Sequence, residues 1–240
     1  MIHQYFENLY TRTMRLAYAK AQSEIQRHTR KGEKILDCGA GSGGMFTAAG
    51  VSTADYVGIE WQDQVAQKGR DKGLDIATGD LNQPIGFDNE YFTTIFGLSV
   101  LEHLLTPCAY LRECYRVLKP DGTLVLLTPN ISTYFTAALI LMGRMPSSGP
   151  HPDSNALLQR EEPLKVSAPW MQHDAEGDSP THRHLVVFSF RVLRDYLTML
   201  GFRSVAGYGF GLYPFPAFMQ PLLERIDPYH CHQMVFVARK

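Results

Sequence analysis

The chain has 240 residues, 45% of them hydrophobic, and a formal net charge of −1. That length and apolar content suffice for one sizeable core with additions, and the near-zero charge gives no electrostatic case for a nucleic-acid partner. Four cysteines without C-x-x-C spacing read as reduced thiols in the cytoplasm, and the longest apolar stretch, 135–142, falls far short of the roughly 18 residues of a membrane span.

The start, Met1-Ile2-His3-Gln4-Tyr5, lacks the basic flank and apolar core of a signal peptide. Phe6, Leu9, Tyr10, Met14 and Ala17 are spaced for one face of a helix. They predict a helical cap over residues 1–30, packed on a sheet edge or over a ligand site; in the second case Tyr5 or Tyr10 stands over the chemistry.

From 34 to 128 strands and helices alternate, the pattern of a parallel sheet with helices on both faces. Lys34–Cys38 reads as a short buried strand. Gly39, Gly41 and Gly43 follow where the chain must turn sharply and let a ligand touch the backbone. Residues 44–49 read as a helix start whose free N–H groups and positive end would face an anionic group. Gly39, Gly41 and Gly44 equally satisfy the dinucleotide pattern G-x-G-x-x-G, so the glycines alone leave two ligand classes open.

Tyr56–Glu60 reads as a second strand, and its terminal acid lies about 20 residues beyond the glycines, the spacing at which a carboxylate accepts ribose hydroxyls. A third apolar run, Leu74–Ala77, leads to Gly79-Asp80, where a carboxylate suits an exocyclic amine of adenine. Asp37, two residues before the first glycine, suits a ligand carrying an ammonium better than one carrying a pyrophosphate.

Asp37-x-Gly39-x-Gly41-x-Gly43, Glu60 and Gly79-Asp80-Leu81 resemble the cofactor motifs of class I S-adenosylmethionine-dependent methyltransferases. Phe92–Ser99 is similar to that family's fourth strand, Val100-Leu101-Glu102-His103-Leu104 to its leucine-glutamate-histidine segment, and Arg116–Gly122 to the run before its fifth strand. The resemblance implies a Rossmann-like methyltransferase fold: a doubly wound α/β sheet of seven mostly parallel strands with an antiparallel last strand. It implies S-adenosylmethionine as cofactor, its methionyl part cradled by Asp37, Cys38, Gly39, Ala40, Gly41 and Gly43. Glu60 would then hold the ribose, Trp61 lie along the adenine, Gly79, Asp80 and Leu81 meet its edge, and Leu98 and Ser99 line the same pocket.

Further along, Thr106 is expected to cap a helix with Pro107 at its first position and a buried stripe of Tyr110, Leu111, Cys114, Val117 and Leu118. Lys119–Gly122 turns the chain into a strand over Thr123–Thr128. Residues 130–142 read as a helix. The segment 144–180 carries prolines 146, 150, 152, 163, 169 and 180 and no sustained periodicity, so it reads as an insertion serving as a lid or substrate wall. Short stretches, Thr128–Asn130 and Gly143–Pro146, resemble the methionine-biosynthesis W proteins. Ser189 should cap a helix with stripe Val192, Leu193, Tyr196, Leu197 and Leu200, closed by Gly201; 202–210 and 233–238 supply the last strands. The organisation is thus a cap (1–30), a cofactor-binding half (31–130), an insertion (131–185) and a C-terminal helix and hairpin completing the same domain (186–240).

The implied activity is in-line transfer of a methyl group to the oxygen or nitrogen of a small-molecule acceptor. The Asn/Asp-Pro-Pro-Tyr of base- and amide-modifying relatives is replaced by Gly97-Leu98-Ser99-Val100. A hydroxyl acceptor needs a base, and His103, His182 and His184 are the candidates. Two His-x-His pairs, 182/184 and 230/232, lack a third ligand at a recognisable spacing, so no metal is expected. Tyr208, Phe210, Tyr213, Phe215 and Phe218 either line an apolar substrate pocket or pack beneath their own loop. The alternatives are a nicotinamide-dependent oxidoreductase and a non-catalytic cofactor-binding partner protein.

Overall fold

The computed structural model describes residues 2–154, 157 and 183–240. Seven strands form one sheet in the order β3-β2-β1-β4-β5-β7-β6. They are β1 (Ile35–Cys38), β2 (Tyr56–Glu60), β3 (Asp75–Thr78), β4 (Phe92–Leu98), β5 (Leu118–Pro129), β6 (Ser204–Phe210) and β7 (Gln233–Arg239). The first five pair in parallel, and β7 runs antiparallel between β5 and β6. The Rossmann-like sheet with an antiparallel last strand is therefore present.

β1, β2, β4, β7 and the second half of β5 are buried on both sides, so their sequences read as near-continuous apolar runs whose alternate residues feed two cores. One face takes Leu36, Cys38, Ile95, Leu124, Leu126 and Phe236 against α4 (Pro107–Val117), through Tyr110, Leu111 and Cys114. Phe190, Leu193 and Leu197 of α6 (Phe190–Met199) cover the same face. The opposite face takes Ile35, Tyr56, Phe96, Val125, Leu127 and Val235 against Ala17, Ala21 and Ile25 of α1 (Ile2–His28). Each large aliphatic side chain fully buried this way contributes roughly 1.5–3 kcal/mol.

The N-terminal helix is longer than the sequence stripe suggests and lies across a sheet face, contacting β4, β5, β6 and β7, rather than at an edge. Ala17 and Ala21 explain this placement, because their small side chains let the helix come close to the strands; both are fully buried. The helix expected from Gly44 shrinks to α2 (Phe46–Ala49), one turn closed by Gly50 in the left-handed region. Gly41 and Gly43 hold the residues before it in a succession of turns. α3 (Asp63–Arg70) links β2 to β3.

Other boundaries move for local reasons. Thr106 precedes α4 without capping it through its side chain; its hydroxyl points to Asn82 instead. Ser189 does cap α6, accepting from the Val192 N–H, but Val192 is 56% exposed rather than part of the buried stripe. The helix expected over 130–142 is α5 (Tyr134–Leu141), started by Thr133, whose hydroxyl accepts from the Thr136 N–H. The turn over Lys119–Gly122 is absorbed into β5 as an irregularity in its pairing with β4, with Asp121 at φ 63°. α7 (Gln220–Ile226) fills the β6–β7 connection.

Among the described residues no helix is long and apolar enough to cross a membrane. The four cysteines are free thiols.

Candidate active site

The carboxyl ends of β1, β2, β3 and β4 lie side by side, and ligands of open α/β sheets bind at that edge. Gly39, Gly41 and Gly43 all have positive φ (78°, 55° and 80°), the conformation glycine adopts without steric cost. Gly39 is also held by packing: a Cβ there would meet Val100 Cγ2 at 2.4 Å, so the glycine turn and the segment after β4 are in contact. Around Gly41, by contrast, a Cβ would find open space, which leaves its backbone accessible to a ligand.

Glu60 closes β2 with its carboxylate fixed. Oε2 accepts from the Gly41 N–H and Oε1 from the Gln62 N–H, both at 2.9 Å. Trp61 beside it is 59% exposed, an unusual fraction for an indole with no packing reason of its own. Gly79 donates its N–H to the Glu60 carbonyl, setting Asp80 two residues past the end of β3. Asp80 Oδ1 accepts from the backbone and side-chain N–H groups of Asn82, which orients the carboxylate. Leu81 is buried and Leu98 half-buried at the end of β4. Ser99 takes φ 56°, strained for a residue with a side chain, and its Oγ accepts from the Tyr18 hydroxyl at 3.3 Å.

Asp37 is 2% exposed, and its Oδ2 accepts from the Tyr56 hydroxyl at 2.6 Å. Burial pushes its carboxyl up to about 7, against the lowering effect of that hydrogen bond. Cys38 turns its thiol to the opposite core beside Tyr110 and Cys114, and burial raises it well above the ordinary range, so this residue offers a ligand its backbone only. Ala40 is buried against Gly58, where a Cβ would stand 2.7 Å from it.

The segment after β4 carries the candidate chemistry. Leu101–His103 form a 3-10 turn that buries Glu102 to 2% exposure. The Glu102 carbonyl accepts the N–H groups of Leu185 and Val186, and its Oε2 accepts from the Thr128 hydroxyl at 2.9 Å. Burial lifts this carboxyl to about 7. His103 pairs its Nδ1 with the Arg183 carbonyl at 2.9 Å, and His184 pairs its Nδ1 with the Ser148 carbonyl at 2.7 Å. The two imidazoles meet edge to face at 5.1 Å, and His151 stacks on His184 at 4.8 Å. Desolvation, reinforced by His103 and His151, pushes His184 down to about 3, so it is neutral near pH 7 and a weak proton acceptor.

His182 lies outside the described residues. So does most of the insertion, but its feet are described: the His151 N–H donates to the His184 carbonyl at 2.8 Å, so the segment leaves and returns beside the cluster. Tyr10 is 4% exposed and near enough to Glu102 and Tyr18 to feel their charges, whereas the Tyr5 hydroxyl donates to the Pro214 carbonyl. The pair 230/232 does not converge. His230 bonds Asp227 and stacks on Tyr134, while His232 is buried against Tyr10 and Tyr213. The C-terminal aromatics do not share one pocket either: Phe218 is 83% exposed, and Tyr208 lies under the Lys20 ammonium. Sequence reading gave Tyr10 a possible place over the chemistry and noted His232 in a pair, but it did not join them with Glu102 and His151 beside His103 and His184. The adjacency of Glu102 to His103 was the one local signal, since the other three come from distant segments.

A family model described as a methyltransferase domain matches residues 1–206. The bovine mitochondrial ubiquinone biosynthesis O-methyltransferase is 32% identical over 108 residues, covering 41% of this chain and 29% of that protein. Its counterpart from Methylococcus capsulatus is 30% identical over 115 residues, covering 45% and 48%. The chain thus spans less than half the length of the curated relatives it matches. Among solved structures, a Thermotoga maritima protein described as a possible histamine N-methyltransferase superposes with a TM-score of 0.58 at 14% identity, covering 99% of both chains. A Haemonchus contortus phosphoethanolamine N-methyltransferase 2 in complex with S-adenosyl-L-methionine superposes with a TM-score of 0.59 at 12% identity, covering 93% of this chain and 52% of that one. The positive-φ glycine turn, the oriented Glu60 and Asp80 and the exposed Trp61 are a fitting cradle for that cofactor. The chain belongs to the methyltransferase-domain family and has the fold of the class I S-adenosylmethionine-dependent methyltransferases.

Proposed function

We propose that the protein transfers a methyl group from S-adenosylmethionine to a small-molecule acceptor, with a hydroxyl as the favoured acceptor group. The observation that carries this reading is the Gly39–Val100 contact, which joins the cofactor-type glycine turn to the segment bearing Glu102 and His103. The names of the ubiquinone O-methyltransferases support oxygen over nitrogen.

In this reading Asp37 and the glycine turn hold the methionyl part, Glu60 takes the ribose hydroxyls, Trp61 lies along the adenine, and Asp80 with Leu81 meets the adenine edge. When bound, the sulfonium supplies an activated methyl and its own leaving group. The protein's work is to bring acceptor and methyl within near-attack distance. The Glu102–His103 turn faces the acceptor, and a hydroxyl gives up its proton there. The insertion acts as lid or substrate wall, since its feet close on His184. Free thiols and a small-molecule acceptor fit the reducing cytoplasm, with neither nucleic acid nor membrane as partner.

A nicotinamide oxidoreductase loses support from the family match and from β7 running antiparallel between β5 and β6. The test is incubation of purified protein with methyl-labelled S-adenosylmethionine and a panel of phenolic, catecholic and amine acceptors, beside titration with S-adenosylhomocysteine and NADH. Labelled product and binding of S-adenosylhomocysteine alone are expected. Binding of NADH alone overturns the reading, and binding without any transfer makes the protein a cofactor-binding partner.

A further inference from the structure

We infer that Glu102, His103 and His184 form a site for a divalent first-row transition-metal ion at the acceptor side of the pocket. This rests on the methyl-transfer reading and refines the role of its cluster. One potential ligand atom from each of the three lies within 4.8 Å of the others. Two histidines and a carboxylate are the donor set of open, catalytic-type sites, which leave positions for a water or substrate oxygen.

Three further observations point the same way. Each imidazole has its Nδ1 against a backbone carbonyl, of Arg183 and of Ser148. A carbonyl only accepts, so each Nδ1 carries the hydrogen and each Nε2 the lone pair, the tautomer that metal-bound histidines are given by their outer partners. Second, Glu102 is 2% exposed, yet among the described residues no lysine or arginine forms an ion pair with it. A carboxylate buried beside two imidazoles calls for a positive charge. Third, His232 is 7% exposed with no hydrogen-bond partner for its Nδ1 among the described residues, and it is close enough to His184 for their charges to interact. That is an orphaned polar atom beside the cluster.

The ligand atoms of a tetrahedral ion are about 3.4 Å apart, so side-chain rotations that draw the three inward close the site. The three ligands come from the turn after β4 and from the returning foot of the insertion, so the ion would tie the insertion to the sheet. The open positions would take the acceptor oxygen. There the O–H bond breaks with its proton passing to solvent, and the metal-held oxygen forms the new O–C bond as the sulfonium S–C bond breaks. The histidines then serve as ligands, and activation of the hydroxyl passes to the ion.

The test uses full-length protein stripped with chelator and titrated with Co2+ alone, reading the visible d–d absorption, with Zn2+ as competitor. One saturating equivalent, displaced by Zn2+ and weakened at least roughly tenfold in Glu102→Gln, His103→Gln and His184→Ala, is expected. Binding of S-adenosylhomocysteine by the same variants checks that they fold. An absent band, or a band unchanged in the three variants, overturns the site. Methyl transfer that survives stripping without such a band overturns the site alone, while failure of wild-type protein to bind S-adenosylhomocysteine overturns the underlying reading.

Discussion

The Glu60 carboxylate accepts the backbone N–H of Gly41 at 2.9 Å, so the acid ending β2 and the glycine turn after β1 are one unit. Removing the carboxylate therefore removes a ribose acceptor and also loosens the turn. Glu60→Ala should weaken binding of S-adenosylhomocysteine by tenfold or more, since hydrogen bonds to charged groups contribute about 1.5–3 kcal/mol. Glu60→Gln, which keeps an acceptor for Gly41, should lose less. Calorimetric titration of both variants decides it, and equal losses would detach the turn from the acid.

Two glycines of the turn should respond differently to alanine. Both have positive φ, but a Cβ on Gly39 stands 2.4 Å from Val100 Cγ2, and one on Gly41 meets nothing within 4 Å. Gly39→Ala should destabilise by roughly 2–4 kcal/mol, strain and clash together, and Gly41→Ala by about 1 kcal/mol. Urea unfolding followed by circular dichroism measures both, and the opposite order would contradict the contact.

Trp61 separates cofactor binding from stability. At 59% exposure its indole contributes little to the core, so Trp61→Ala should leave stability within about 0.5 kcal/mol. Loss of an adenine-stacking partner should cost cofactor affinity about 1–3 kcal/mol. Unchanged affinity would take Trp61 out of the pocket.

Asp37 makes stability depend on pH. Its carboxyl is raised from 3.8 to about 7, chiefly by burial, so the folded protein holds this proton more tightly than the unfolded chain. Its contribution to stability is present at low pH and declines as pH rises between those values. Glu102, raised to about 7 from 4.5, acts with the same sign. Asp37→Asn should therefore gain stability relative to wild type on going from pH 5 to pH 8. Unfolding curves at the two pH values test it, and a constant offset would show that Asp37 does not titrate in that window.

How much of this was readable in advance differs by element. β1, β2 and β4 were legible because strands buried on both faces leave long apolar runs, and glycines and acids punctuate their ends. The path of α1 was not, because Ala17 and Ala21 look unremarkable in sequence and acquire their role only from how closely the strands approach. The positions of Glu60 at the end of β2 and of Asp80 just beyond β3 were legible, the first from its spacing to the glycines and the second from the apolar run before it. The union of Glu102, His103, His151 and His184 was not, because it depends on a segment that leaves the sheet near Ser148 and returns at His184. The histidine pair at 230 and 232, from which no metal was expected, does not converge for a related reason: alternate residues share a side only in a strand, and here His230 ends a 3-10 turn while His232 precedes β7.

The backbone pairing of His151 with His184 gives the insertion a common point of departure and return. A loop closed at its base contributes to the rest of the molecule mainly through its closure entropy, which grows by only about 0.6 kcal/mol for each doubling of length. A change in the length of the sequence between the two feet is thus expected to leave the sheet, the glycine turn and the histidine cluster in place. Exchange of that stretch is expected to alter acceptor choice and to leave binding at the glycine turn unchanged.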